Sequence, residues 1–533
     1  MNKSFMKICA FFMVMALLFF GGCGETTENT EPETSTEGTE VEGTAVGQSL
    51  ASTYAADRVF SLNSESSKSF NPYKTTSAWN QVVDMLVYEE LIVLDRNFEP
   101  QPNLITSWNT EDGIYWYFSV DTSRTFHDGG KLTAYDCSYS LQQAMQSSNY
   151  RKRLANVVGI STLSDESFVV CLEEADYTFY RLMNLPCIEY GTGGESRPAG
   201  TGPYYFSDSG TVLLRFEEYP TAESLPLRRI YLKEYTYAVD ILQAFEDSYI
   251  DLTINNPTAM SNLGYSSSNI TKYVDTTNMH YIGYNMDSAI FSQAMFRLIM
   301  TYAIDRATIV SDCMGGAAVA ATLPIHPNNS LYPEDLAKTL NYSTGNLEKA
   351  IENIGVMDVD GDGYLEMFSG VSAMKTEINF IVCSDSSAKV SAARSITSNL
   401  EAVGFAVNLR ELGYDDYLVA LTEGDFDMYY AEVRLCGNWD LTVLFDEDSD
   451  LNYGNVHDTY LLSYMNQYKA QPEEFLQENL NQFCTYIAQQ APITVILFER
   501  TEILYHRGVI RGLEPTQTNY FYNMENWTIT LPN

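Results

Sequence analysis

The distribution of hydrophobic and polar positions predicts a chain of mixed α-helices and β-strands. Apolar side chains recur at helical spacing over residues 79–86, which predicts a helix with one buried face. Residues 133–136 have the composition of a capping box and precede a second apolar stripe, so they predict the start of another helix. The run 115–120, between these two helices, is rich in residues that favour strands.

A clearer unit lies in the second half of the chain. Residues 378–383 predict a buried strand, residues 390–403 a helix that ends at Gly404, and residues 405–412 a second strand. This order predicts a parallel strand pair with a right-handed crossover. A late strand is predicted at 494–498. The fold class is therefore α/β.

The N-terminal residues predict export and a lipid anchor. Lys3 and Lys7 precede an apolar run, 8–20, which is too short for a comfortable membrane span, and Gly-Gly-Cys follows with the thiol at Cys23. This order resembles a bacterial lipobox, so we expect residues 1–22 to be a lipoprotein signal peptide and Cys23 to be lipidated. An ordinary signal peptide with a chance cysteine is the alternative. Residues 23–50 predict an acidic, disordered tether.

Composition narrows the possible functions. The 533 residues carry 31 basic and 70 acidic side chains, a formal net charge of −39. Nucleic-acid binding requires clustered lysine and arginine, so this charge argues against it. The length allows two to four domains, and 45% hydrophobic residues provide material for sizeable cores.

Catalytic and redox motifs are absent from the sequence. It contains no G-x-S-x-G, no H-E-x-x-H, no phosphate-binding loop and no C-x-x-C. Seven cysteines follow residue 50 at wide spacings, and we expect most of them to be buried free thiols. We therefore predict a protein that is not an enzyme and needs no cofactor.

An acidic segment is the one candidate for a metal site. In D-V-D-G-D-G-Y-L-E, Asp358, Asp360 and Asp362 occupy positions one, three and five of an EF-hand loop. The bidentate glutamate of position twelve is missing, because Ser369 stands there, whereas Glu366 stands at position nine. A turn between strands uses the same residues, so a turn without metal and a weak calcium site both remain open.

A series of motifs in order along the chain resembles one protein family. The motifs are Tyr88-Glu89-Glu90-Leu91, Pro100-Gln101-Pro102-Asn103-Leu104, Phe126-His127-Asp128-Gly129, Leu132-Thr133-Ala134-Tyr135-Asp136, Gly200-Thr201-Gly202-Pro203-Tyr204 and Tyr302-Ala303-Ile304-Asp305-Arg306. Together they resemble the family 5 extracellular solute-binding proteins, the peptide-binding subunits of ABC importers.

The resemblance implies a type II periplasmic-binding-protein-like fold with two α/β lobes and a hinge. We expect lobe one to comprise residues 51–277, with an inserted subdomain at about 86–190, and 490–533 to return to it. Lobe two is expected at 278–489, with hinge segments near 278–283 and 489–494. The implied partners are a peptide or other small solute, the ABC permease and ATPase subunits, and the membrane through the N-terminal lipid. We expect a monomer on the outer face of the bacterial cell membrane.

The resemblance also implies where the ligand binds. In the family, an aspartate in a tryptophan-containing segment of lobe two meets the peptide ammonium, and the matching stretch here is 429–441. It implies Asp440 as the ammonium partner, Trp439 as an apolar wall, Glu432 as the second choice for the ammonium and Arg434 as a carboxylate clamp. The family's following Asp-Pro is missing here. Asp440 as a helix cap, with Arg434 paired to Glu432 on the surface, is the alternative.

Trp79, on the first predicted helix, is included among the ligand-binding candidates. Binding of another solute, such as an oligosaccharide or a metal chelate, or a receptor role without transport, remains the alternative function. The mixture of opposite charges at Glu432, Arg434 and Asp440 favours a peptide, whose two ends carry opposite charges.

Overall fold

The computed structural model describes residues 60–259, 262–263, 269–369 and 372–531. The predicted signal peptide, Cys23 and the predicted tether lie outside these residues. The first half of the fold contains β1 Ser61–Ser64, α1 Ala78–Val87, β2 Ile92–Leu94, β3 Pro100–Pro102, β4 Ile105–Asn109, β5 Tyr115–Val120, α2 Ala134–Gln146, β6 Val157–Ser164, β7 Ser167–Leu172, β8 Tyr204–Phe206, β9 Val212–Arg215, β10 Arg229–Glu234, α3 Ala238–Glu246 and β11 Leu252–Asn255.

The second half is more helical. It contains β12 Ile270–Tyr284, α4 Ala294–Ala303, α5 Arg306–Thr308, β13 Ala318–Ala320, α6 Glu334–Thr339, α7 Thr344–Ile354, β14 Glu366–Ser369, β15 Ser372–Lys375, β16 Glu377–Cys383, α8 Ser387–Glu401, β17 Ala406–Leu412, α9 Tyr414–Glu423, β18 Met428–Arg434, α10 Thr442–Phe445, α11 Thr459–Ala470, α12 Leu476–Gln490, β19 Ile493–Tyr505, β20 Ile510–Arg511 and β21 Thr528–Ile529.

The first half forms two four-stranded sheets. One has the order β1-β10-β9-β8, and the other, β4-β5-β7-β6, lies within residues 86–190 and is antiparallel throughout. Its central strand β5 alternates exposed and buried residues, because one face packs on the core and the other meets solvent. The capping box is confirmed: the carboxylate of Asp136 accepts hydrogen bonds from the amide and hydroxyl of Thr133.

The second half is built on a seven-stranded mixed sheet. Its order is β11-β19-β12-β18-β16-β17, and β13 also pairs with β19. Strands β16 and β17 are parallel and joined by α8, and Gly404 follows at a φ of 97°, so the predicted crossover unit is confirmed. Buried side chains line both faces of this sheet, in two separate hydrophobic clusters.

The long strands β12 and β19 belong to both lobes. Along β12, Val274 packs in the hydrophobic cluster of the first lobe, and Met279 packs in that of the second lobe. Along β19, Phe498 packs in the cluster of the second lobe, and Ile503 packs in that of the first lobe. The β12–β19 register is irregular between Asp275 and Met279, at this same level. In the expected hinge segment 489–494, Ile493 packs in the second lobe's cluster, so we propose that the second crossing lies further along β19. The domain limits themselves remain a proposal.

The cysteine prediction is correct in part: the thiols are free, but fewer than half of them are buried. All seven cysteines in the described part of the chain are free, and Cys137, Cys187 and Cys484 are buried. Among the described residues, no helix combines the length and apolar character needed to cross a membrane.

Candidate functional site

Charged side chains gather on β18 where the two lobes meet. Tyr430, Glu432 and Arg434 are two residues apart along this strand, so their side chains share one face. The neighbouring strand β12 places His280 opposite Glu432 and Asn278 opposite Arg434. Register therefore brings residues that are about 150 positions apart in sequence into one patch.

His280 lies at the centre of this patch and is fully buried. Its Nε2 is 2.7 Å from a carboxylate oxygen of Glu499 and 3.2 Å from one of Glu432. Its Nδ1 is 2.9 Å from the hydroxyl of Tyr430. The ammonium of Lys389, in the first turn of α8, lies 2.9 Å from Glu432. Two cations thus face two carboxylates at the lobe junction.

The charges hold one another in their ionised forms. Burial works against a charged imidazole, but Glu499 and Glu432 outweigh it and raise the pKa of His280 above its usual value. Burial also works against the charge of Glu432, but Lys389 and His280 outweigh it and hold the pKa of this carboxyl well below its usual range. The pKa of Glu499 is likewise lowered against the effect of its burial, chiefly by His280. The cluster therefore combines two carboxylates with one ammonium and with an imidazole whose protonated form they favour.

Residues of the first lobe complete the coordination of Glu499. The amide of Asn256 donates to Glu499 at 3.4 Å, and the hydroxyl of Thr258 also donates to it. Asn278 of β12 donates to Oε2, the same carboxylate oxygen that Asn256 contacts, whereas Thr258 donates to Oε1. The carbonyl of Thr258 accepts a hydrogen bond of 2.5 Å from Ser386, which caps α8 in the second lobe. This network ties the loop after β11 to the second lobe.

Three of these groups could in principle hold a metal ion. Ligand atoms of His280, Glu432 and Glu499 lie within 4.8 Å of one another. The ammonium of Lys389 and a protonated His280 already supply the positive charge that a metal ion would bring. The donor set therefore fits a salt-bridge cluster better than a metal centre.

Arg434 differs from these residues because its guanidinium forms no ion pair with any described residue. It is exposed, and its positive charge acts on Tyr150 and Tyr520 of the first lobe. Burial raises the pKa of Tyr150 to about 12, opposed by Arg153 and Arg434. In the same region, burial raises the pKa of Glu90 to about 8, although a hydrogen bond from Thr518 lowers it. Arg434 is therefore an available cation facing the first lobe.

A second contact between the lobes is apolar. Phe98, in the turn between β2 and β3, is 1% exposed and packs among residues of the second lobe. Its ring centroid lies 5.5 Å from that of Trp439 and 4.9 Å from that of His326. Glu99 beside it accepts hydrogen bonds from Asn329 at 3.1 Å and Ser330 at 2.6 Å.

The other predicted ligand-binding residues make their contacts outside the β18 patch. Trp439 is 1% exposed in the second lobe's core. Asp440 accepts a hydrogen bond of 2.8 Å from the amide of Thr442, the first residue of α10, and lies 2.8 Å from the ammonium of Lys469. Trp79 packs on a small cluster that includes Ile241. Glu432 and Arg434 share a face, and Glu432 pairs with Lys389 instead of Arg434.

Sequence reasoning did not identify His280, Glu499, Lys389 or Asn256. Each lies in an apolar or mixed segment that has no recognisable motif, and only the fold brings these residues together. The isolated histidine in a β-rich run was the available signal.

The acidic segment forms a loop of the second lobe, away from β18. Asp358 accepts hydrogen bonds from the amides of Gly361 and Gly363, at 2.6 and 3.0 Å. Both glycines have positive φ, at 79° and 91°, so the predicted turn is present.

Comparisons with known proteins agree with this architecture. The family model "Bacterial extracellular solute-binding proteins, family 5 Middle" matches residues 99–439. The oligopeptide-binding protein AppA of Bacillus subtilis is 21% identical over 516 residues, covering 86% of this chain and 89% of that protein. The structure of B. subtilis AppA in complex with a nonapeptide superimposes with a TM-score of 0.60 at 19% identity, covering 88% of this chain and 98% of the other.

Structures of nickel-related proteins are also similar. The nickel ABC transporter protein of Bacillus halodurans gives a TM-score of 0.70 at 18% identity, covering 89% of this chain and 98% of the other. NikZ of Campylobacter jejuni in complex with Ni(L-His) gives 0.63 at 16% identity, covering 88% and 98%. These likenesses confirm the two-lobe α/β fold expected from the sequence motifs. The chain belongs to the bacterial extracellular solute-binding proteins of family 5.

Proposed function

We propose that this solute-binding protein captures peptides between its two lobes and delivers them to the permease of an ABC importer. The observation that carries the proposal is that an exposed carboxylate and an exposed guanidinium, which do not pair with each other, lie on the same face of β18. The side chain of Glu432 is 37% exposed even with Lys389 beside it, and Arg434 is free of ion pairs among the described residues. Both charges stand at the junction of the lobes.

The chemistry of a peptide suits this arrangement. A peptide carries an ammonium at one end and a carboxylate at the other, and each needs a counter-charge when it is enclosed. Arg434 provides a planar fork for the carboxylate. Glu432 provides a charge for the ammonium, which would share this carboxylate with Lys389. Main-chain hydrogen bonds of an extended ligand would add affinity that depends little on side chains.

Other candidates for ligand contact are Asp440, Trp439 and Trp79. An ammonium that approached Asp440 would compete with Lys469, which already neutralises that carboxylate. Trp439 would have to separate from Phe98 to become a wall of the binding site. An ammonium at Glu432 would likewise compete with Lys389, but the side chain of Glu432 is more exposed than that of Asp440, 37% against 26%. We therefore place Glu432 and Arg434 ahead of these residues.

The ligand can be identified by native mass spectrometry of protein purified from its own cells, followed by calorimetry with the recovered compound. We expect peptides, and we expect Arg434→Gln to weaken their binding at least tenfold. Arg394→Gln is the matched control, because Arg394 is exposed on α8 and pairs with Glu411 at 2.7 Å. Equal affinity of the two variants would reject the role of Arg434.

A metal chelate is the second candidate, because two structural relatives are described as nickel proteins. A chelate with carboxylate groups would also pair with Arg434, so the variant alone does not separate the two ligands. Recovery of a metal complex without peptides would replace the peptide proposal.

We also propose that lipid on Cys23 holds the protein at the outer face of the membrane, as a monomer. Its body would then act outside the cell. Cys23→Ala should move the protein from the membrane fraction to the medium or the periplasm. Retention of that variant in washed membranes would contradict the anchor, and a dimer mass in light scattering would contradict the monomer.

A further inference from the structure

The loop that carries the acidic segment brings four carboxylates together. Ligand oxygens of Asp358, Asp360, Asp362 and Glu366 all lie within 4.8 Å of one another. The three aspartates are exposed, whereas Glu366 begins β14 and is only 4% exposed. Exposed aspartates are common on turns that bind no metal ion. The buried carboxylate of Glu366 is the feature that points to a bound cation.

Glu366 has an unsatisfied oxygen. One carboxylate oxygen accepts a hydrogen bond of 2.7 Å from the amide of Val359. The other, Oε1, is buried and has no hydrogen-bond partner among the described residues. An unpaired carboxylate oxygen shielded from water is costly unless a cation neutralises it.

Contacts with the rest of the second lobe fix the base of the loop. Met357 and Glu366 form a β-bridge across its base, and the amide of Leu365 donates to the carbonyl of Gly404 at 2.7 Å. The backbone amides of Gly361 and Gly363 fix the side chain of Asp358. The carboxylates are therefore positioned before any cation arrives.

One cation of the protein already approaches the cluster. The ammonium of Lys375 contacts Asp362 and lies 4.5 Å from the centroid of the Tyr364 ring. It is 48% exposed and can swing into solvent. A single ammonium leaves three of the four negative charges without a counter-charge, which indicates room for a doubly charged ion.

We propose that Asp358, Asp360, Asp362 and Glu366 form a calcium site in the second lobe. Hard divalent cations prefer such oxygen ligands, and calcium tolerates irregular geometry better than magnesium does. The glutamate at position nine takes the place of the missing ligand at position twelve. The site lies outside the lobe junction, and the bound ion stabilises the second lobe instead of contacting the transported solute.

The test uses the full-length chain, purified and freed of metal with EDTA. Calorimetry with calcium chloride should give one site with a dissociation constant below about 1 mM, the upper range of extracellular calcium modules. Calcium at ten times that constant should raise the thermal midpoint by on the order of 2 °C. No binding, or an equal rise with magnesium chloride, would overturn the proposal.

Variants locate the site. Asp360→Asn, at an exposed position, should weaken calcium binding at least tenfold, and Glu366→Gln should abolish the calcium-dependent rise in the midpoint while the metal-free protein stays folded. Lys375→Ala should tighten binding, because a competing ammonium is removed. Asp208→Asn, an exposed aspartate of the first lobe, is the control and should bind calcium as the parent protein does. Unchanged calcium binding in both Asp360→Asn and Glu366→Gln would place the ion elsewhere and reject the assignment.

Discussion

The ring of Phe98 lies edge-on to the indole of Trp439, with ring centroids 5.5 Å apart and an interplanar angle of 78°. Phe98 comes from a turn of the first lobe's inserted segment, and Trp439 comes from the second lobe. Both residues have positive φ, 64° and 57°, a conformation that bulky side chains rarely adopt. Two strained positions thus meet at one contact between the lobes.

Removing this ring should loosen the contact. Phe98→Ala deletes a buried side chain that also packs on His326, so we expect a loss of roughly 3 kcal/mol in the free energy of unfolding. We further expect a larger radius of gyration by small-angle X-ray scattering in the absence of ligand. Phe475→Ala, at a 43% exposed phenylalanine, is the control and should change neither quantity appreciably. A radius equal to that of the parent protein would show that Phe98 does not hold the lobes together.

The charge on His280 should make stability depend on pH. Its pKa is raised in the folded protein, because Glu499 and Glu432 outweigh the opposing effect of burial. The resulting stabilisation is complete below the ordinary histidine pKa of about 6.5 and is lost as the pH rises through the folded value. Urea denaturation between pH 6 and 9 should show this loss in the parent protein and a flatter profile in His280→Gln.

The control for His280 is His457, which is exposed and pairs with Glu447 at 3.0 Å. His457→Gln should retain the parent pH profile. If His280→Gln keeps the same slope as the parent protein above pH 6.5, the stabilisation does not come from this imidazole.

Asp440→Asn separates the two interpretations of that residue. Because Asp440 pairs with Lys469 and accepts from the amide at the start of α10, we expect lower stability with ligand affinity within twofold of the parent. The pair is partly exposed, so the stability loss should be on the order of 1 kcal/mol. A large loss of affinity with unchanged stability would instead restore Asp440 as the ammonium partner.

Asp84 should destabilise the protein at neutral and alkaline pH. It is 6% exposed on α1, neither carboxylate oxygen has a hydrogen-bond partner among the described residues, and burial raises its pKa well above the usual value. A carboxyl of this kind stabilises the fold in its protonated form and loses that contribution as the pH rises through the folded pKa.

Asp84→Asn should therefore match the parent at pH 4 and become progressively more stable than the parent as the pH rises toward 8. Thermal unfolding at several pH values measures the difference. Asp208→Asn supplies the baseline for an exposed aspartate. A stability difference that does not grow with pH would mean that the pKa of Asp84 is not raised in the folded state.

Local patterns in the sequence were sufficient for the regular elements. The helix around Val82, the strand β5 and the unit β16-α8-β17 follow from periodicity and from a glycine stop, because each depends on residues close in sequence. The family motifs in the sequence then predicted the two-lobe fold as a whole.

The charged patch required information that no local pattern carries. His280 and Glu432 are neighbours only because β12 and β18 pair in one register, and Glu499 joins them from a third strand. A shift of one residue in either pairing would turn these side chains to the opposite face. The sequence predicted ligand-binding residues in the 429–441 segment, but the division of these residues between a strand face and a buried turn depends on the fold of the whole lobe.

The two long strands limit how the lobes can move relative to each other. Strands β12 and β19 are hydrogen-bonded to one another on both sides of the irregular pairing at Asp275 and Met279. A movement of one lobe relative to the other must therefore bend both strands together. Such a bend disrupts the fewest hydrogen bonds where the pairing is already interrupted. We therefore expect the lobes to rotate about an axis near the bulge, so that Glu499 and His280 would move less than residues at the outer rims of the lobes.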